Sequence, residues 1–68
     1  METTSVGTEY PEQQERCRDL LLIYRSLGAP GAFGAVVIEA TLREADEAAI
    51  SGDIVRQLAA FKRMQELE

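Results

Sequence analysis

Gly28-Ala29-Pro30-Gly31-Ala32-Phe33-Gly34-Ala35 places three glycines and a proline in eight residues. A regular helix does not run smoothly through it, because interior glycine costs about 1 kcal/mol and interior proline about 3 kcal/mol. The stretch therefore reads as a tight connection that opens into a helix near Ala32. A second break, Ser51-Gly52-Asp53, stops and restarts a helix. Gly52 suits the residue just past a helix end, and Asp53 suits an N-cap.

Outward from these breaks, three helical patterns emerge. Before the first break, Cys17, Leu20, Leu21, Tyr24 and Leu27 recur in steps of three and four, one face of a helix, and Leu22 and Ile23 widen it. Pro11 reads as the first helical position, where a missing N–H costs nothing, and Glu12 and Glu15 sit near the positive dipole end. Gly28 closes this helix as a left-handed cap. Met1 to Glu9 is polar and reads as a flexible arm before a single domain over 10–68.

In the second helix, Phe33, Val37, Thr41, Ala45 and Ala48 fall on one line. Val36, Ala40, Ile38, Leu42 and Ala49 make another, with Glu39, Arg43, Glu44, Asp46 and Glu47 on the polar side. The third helix starts at Ile54, with Ile54, Leu58, Phe61 and Met64 as its stripe and Arg56, Lys62 and Arg63 on its flanks. The expected fold is all-α: a small antiparallel three-helix bundle, a helical hairpin plus a short third helix. Such a thin bundle leaves apolar surface uncovered, and a copy of itself is the simplest cover.

The bulk properties agree. A chain of 68 residues makes one small domain, which ordinarily needs a disulfide, a metal or self-association as support. Cys17 has no partner cysteine, and a lone thiol with no histidine builds no zinc site. Self-association is what remains, so a homo-oligomer is expected. Net charge −5 argues against DNA or RNA as a partner, since a phosphate backbone asks for a basic stripe. The longest apolar run, Leu20 to Tyr24, is too short to span a bilayer, and Met1 to Glu9 lacks a signal pattern. A cytoplasmic location, no membrane partner and no cofactor are the expectations.

Catalysis has little to stand on. With no histidine, and with Cys17 on an apolar helix face, an activated nucleophile has no base beside it, so the chain reads as a non-enzyme and Cys17 as core filler. The candidate ligand site is the glycine-rich loop with its neighbours: Tyr10, Tyr24, Arg25, Gly28, Gly31, Phe33 and Gly34. Free amides at a helix N-terminus attract an anion, glycines admit a phosphate to the backbone, tyrosine stacks on a base, and arginine pairs with phosphate. The same glycines also suit a close helix crossing with no ligand.

Tyr10-Pro11-Glu12-Gln13, Gly31-Ala32-Phe33-Gly34-Ala35 and Ser51-Gly52-Asp53 resemble a group of short phage and prophage proteins over nearly the whole chain from Tyr10. In size and build the chain is also similar to oligomeric phage counter-defence sponges, which sequester nucleotide second messengers of bacterial immunity. Those sponges carry an aromatic before the first long helix and a basic residue near its end, positions that Tyr10 and Arg25 would fill. The resemblance implies a phage-encoded homo-oligomer that captures a cyclic oligonucleotide or a cyclic ADP-ribose-like signal. The rival expectation is an inhibitor of a host defence protein, anti-CRISPR-like, or a phage accessory protein. One feature separates them. A sponge brings basic and aromatic groups to one pocket, whereas a protein inhibitor exposes an acidic or apolar patch.

Overall fold

The computed structural model describes residues 6–68. Helix α1 spans Val6–Ser26, a short 3-10 turn covers Ala29–Gly31, α2 spans Ala32–Ser51 and α3 spans Ile54–Glu66. Both breaks fall where the sequence places them, and no strand occurs among the described residues.

The local chemistry explains the breaks. Gly28 takes φ 71°, a region in which side-chain-bearing residues are strained, and so ends α1. Gly52 takes φ 76° just past α2. Asp53 then caps α3, its carboxylate accepting from the amides of Val55 at 3.0 Å and Arg56 at 3.3 Å. Ser51 ties the turn together, donating to the Ala48 carbonyl and accepting from the Asp53 amide.

The start of α1 departs from expectation. The helix begins at Val6, and Pro11 lies inside it. Val6 to Glu9 therefore belong to α1, and the rest of the expected arm lies outside the described residues. Pro11 disfavours helix at Tyr10 and leaves the Gly7 carbonyl without its helical donor. Burial of Tyr10 offsets that cost. Its ring stacks on Phe61 at 6.2 Å between centroids, and its hydroxyl donates to the Ala45 carbonyl at 2.7 Å.

Cross-contacts fix the topology. Tyr10 meets Ala45, Arg18 meets Asp46 and Arg25 meets Glu39, so α1 and α2 run antiparallel. Arg56 meets Glu44 and the Gln57 side chain donates to the Ala48 carbonyl, so α3 runs antiparallel to α2. Cys17 and Arg16 both meet the Met64 carbonyl, and α3 lies parallel to α1. The core is Tyr10, Cys17, Leu21, Ile38, Leu42, Ala45, Ala48, Ala60 and Met64. Three alanines in that set let the helices approach closely.

The expected stripes are partly rotated. Phe33 and Val37 begin the expected buried line of α2, yet both are exposed. On α3, Met64 is buried and Phe61 packs against the core as the stripe implies, whereas Ile54 and Leu58 are exposed and Ala60, outside the stripe, is buried. Length explains the first pair. The 13 residues of α3 reach about 20 Å, whereas the 20 residues of α2 reach about 30 Å. Because α3 starts at the α2 C-terminus, it stops short of the first turns of α2.

Candidate functional site

Beyond the end of α3, the groove between α1 and α2 is left open. It forms a cleft of about 330 Å³ lined by Tyr24, Phe33, Gly34, Val37, Ile38 and the C-terminal stretch Glu66, Leu67 and Glu68. Three of the expected site residues meet here.

Tyr24 forms the floor. Its ring lies against Gly34, where an added Cβ would collide with the ring carbons. Its hydroxyl donates to the Glu68 carbonyl at 2.6 Å, which draws the C-terminal stretch across the cleft. Phe33 stands at the mouth, 81% exposed. Gly31 is buried beneath, and a Cβ there would run into the Tyr24 carbonyl oxygen. Both glycines are thus accounted for by the close crossing of α1 over the start of α2. Gly28 shapes the turn and touches nothing through its open side.

The remaining site residues lie apart. Tyr10 precedes Tyr24 by 14 residues, about 21 Å along α1, so the structure does not bring it to the loop. Tyr10, expected to stack on a ligand, is instead a buried core residue. Its phenol is raised above the ordinary value, first by burial and then by the carboxylates of Asp46 and Glu44. Arg25 does not line the cleft, and its guanidinium lies 3.4 Å from Glu39.

The electrostatics of the cleft are acidic. Glu66 and Glu68 line it, and no lining residue is cationic. The amides at the start of α2 are partly used, Gly31 donating to the Gly28 carbonyl and Ala32 to that of Ala29. The strongest ion pair lies elsewhere. Arg56 grips both carboxylate oxygens of Glu44 at 3.1 Å and approaches Glu47 at 3.8 Å. The Arg56 hydrogen bond holds the Glu44 carboxyl below its ordinary range.

Cys17 is fully buried, as its helix face implies, and burial pushes its thiol up, away from the reactive thiolate. Among the described residues no cluster of three acidic, histidine or cysteine side chains is placed to hold a metal, and no helix is long and apolar enough to cross a membrane.

The sequence reading missed Val37, Ile38, Glu66, Leu67 and Glu68 as cleft residues. A usable signal was the mismatch in helix length, which leaves the start of α2 without a third neighbour. Large apolar side chains are also exposed at the opposite end of the bundle, beside the α2–α3 turn: Ile50 at 87%, Val55 at 72%, and Ile54. No protein-family model matches this chain, and neither the curated proteins nor the solved structures include a match to it.

Proposed function

We propose that this chain is a non-catalytic binding protein that captures another protein stoichiometrically through its exposed apolar surface. The observation that carries this reading is the exposed apolar group at the α2–α3 end, Ile50, Ile54 and Val55, on a chain of net charge −5. Exposed apolar side chains in an acidic setting suit a partner with an apolar centre and a basic rim. The resemblance to short phage proteins would make that partner a host defence factor, met in the cytoplasm, and the mode would be anti-CRISPR-like occlusion.

Nucleotide capture is the second reading, favoured by Tyr24, Phe33 and Gly34 sharing one cleft. The charges favour the first. Glu66 and Glu68 line the cleft where a phosphate would ask for a cation, and Arg25 is engaged by Glu39.

A thermal-shift screen against cyclic di- and trinucleotides and cyclic ADP-ribose isomers separates the two. A ligand at 100 times its dissociation constant stabilises a fold by about 2.7 kcal/mol. That corresponds to a shift of roughly 10 °C or more for a domain this small. The protein-capture reading expects no shift with any of them. A saturable shift that Tyr24→Ala removes would overturn it in favour of nucleotide capture.

A further inference from the structure

The cleft at the start of α2 combines an apolar interior with charge of one sign. Tyr24, Phe33, Val37, Ile38 and Leu67 give it an apolar lining, and its charged lining residues are Glu66 and Glu68. Its volume of about 330 Å³ falls within the range of small-molecule sites, which are mostly apolar with a few polar groups that set orientation.

The backbone holds the two acidic residues at the cleft. Helix α3 ends at Glu66, and Leu67 takes φ −75° and ψ 143°, extended rather than helical. Leu67 packs against the core with Glu66 and Glu68 flanking it. Its amide donates to the Met64 carbonyl at 3.2 Å, and the Glu68 carbonyl accepts from the Tyr24 hydroxyl at 2.6 Å. Both ends of this short stretch are thereby tied down.

Neither carboxylate has a basic partner. On α2, Glu39 pairs with Arg25 and Arg43, Glu44 and Glu47 pair with Arg56, and Asp46 pairs with Arg18. Among the described residues no such pair reaches Glu66 or Glu68. Arg25, next to Tyr24 in the chain, is turned to Glu39 and does not line the cleft. The faces of aromatic rings also carry negative potential, so rings and carboxylates favour the same sign of guest.

We infer that this cleft binds a small organic cation, an ammonium, amidinium or guanidinium group carried on an aryl or alkyl body. The body displaces water from Val37, Ile38 and Leu67, Tyr24 and Phe33 supply ring surface, and the cationic head meets Glu66 and Glu68. The site lies at the other end of α2 from Ile50, so it is separate from the apolar group assigned to protein capture. It also differs in sign from a nucleotide site, since a phosphate there meets two carboxylates and no lining cation.

Binding is expected to be weak and charge-selective. A dissociation constant on the order of millimolar suits a ligand of this size in an open cleft. In water-like surroundings two carboxylates near contact favour a cation over its neutral isostere by about five- to thirtyfold, and salt screens that preference.

Benzamidine, benzamide and benzoate are close in shape and are positive, neutral and negative. Titrating each into the full chain, with backbone amides followed by nitrogen–proton correlation spectra, is the test. Benzamidine should bind tightest and move the amides of Gly34, Val37, Ile38 and Leu67. Benzamide should bind about five- to thirtyfold more weakly, and benzoate more weakly still. Glu66→Gln combined with Glu68→Gln should bring benzamidine down to the benzamide level and leave benzamide unchanged. Both residues are exposed, so helical circular dichroism should be retained. Phe33→Ala, also at an exposed position, should weaken benzamidine by about two- to fivefold. Equal binding of all three probes, or tightest binding of benzoate, would overturn the inference. So would shifts confined to residues away from the cleft, no binding of benzamidine at tens of millimolar, or a double variant that keeps the preference for the cation.

Discussion

Gly31→Ala isolates the role of the glycine loop. Gly31 has φ −94° and ψ 0°, a backbone that any residue adopts, so the substitution introduces no dihedral strain. Replacing glycine also removes freedom from the unfolded chain, which by itself stabilises by about 0.4–1 kcal/mol. Against this stands the new methyl group. It would collide with the Tyr24 carbonyl oxygen and stand 3.1 Å from the Leu27 Cβ. A carbonyl in the last turns of α1 cannot swing aside as a side-chain tip can, so the end of α1 must move off the start of α2. Overpacking of this kind costs about 1–3 kcal/mol, and it outweighs the entropy gain. The net loss should be about 1–2 kcal/mol, or roughly 4–16 °C in melting temperature for a domain this size. Thermal and urea unfolding followed at 222 nm measure it. Gly34→Ala is the internal comparison, because its methyl meets the Tyr24 ring, which can rotate away, and helix propensity repays part of the cost. Gly31→Ala should therefore be the more damaging of the two. A Gly31→Ala protein as stable as the parent would show that the loop is not held by a close crossing, and would return Gly31 and Gly34 to a ligand-binding role.

Three further outcomes follow from named contacts. Tyr10→Phe removes the hydrogen bond to Ala45 and should cost about 0.5–1.5 kcal/mol by urea titration. Because the phenol is raised in the folded state, its contribution is complete below the ordinary value near 10 and lost as pH rises through the folded value, so the variant should also lose part of the alkaline decline in stability. Glu44 is shifted the other way: its contribution is present above the ordinary carboxylate value and lost as pH falls through the depressed one, and Arg56→Gln should flatten that acid limb. Asp53→Ala removes the cap that accepts from Val55 and Arg56 and should destabilise by about 1 kcal/mol, whereas Asp53→Asn should keep most of it.

Local chemistry was legible in the sequence, and long-range contact was not. Gly28, Ser51, Gly52 and Asp53 declare helix ends through backbone preferences that need no distant partner, and the structure has the ends there. Tyr10 read as a ligand-stacking residue ahead of the first helix. Its burial depends on Ala45 and Phe61, 35 and 51 residues away in the chain. Phe33 fell on the same helical line as Thr41, Ala45 and Ala48, and periodicity alone gives all four one environment. What separates them is where α3 stops. The glycines posed the hardest case. Close backbone approach to a ligand and to Tyr24 ask for the same residue, and the Tyr24 contact appears only once α1 and α2 are packed.

The short third helix accounts for both the cleft and the uncovered face of α2. One or two more turns on α3 would lie along Val37 and toward Phe33, in the groove that the cleft now occupies. Full burial of an aliphatic or aromatic side chain contributes about 1.5–3 kcal/mol. For a domain of this size, whose total stability is of the order of 3–10 kcal/mol, two such side chains are a large share. Their exposure therefore lowers the stability of the fold, and any change that buries Phe33 should raise it. Changes that cover Phe33 should consequently raise the urea midpoint, whereas truncations in the core at Leu42 or Met64 should lower it.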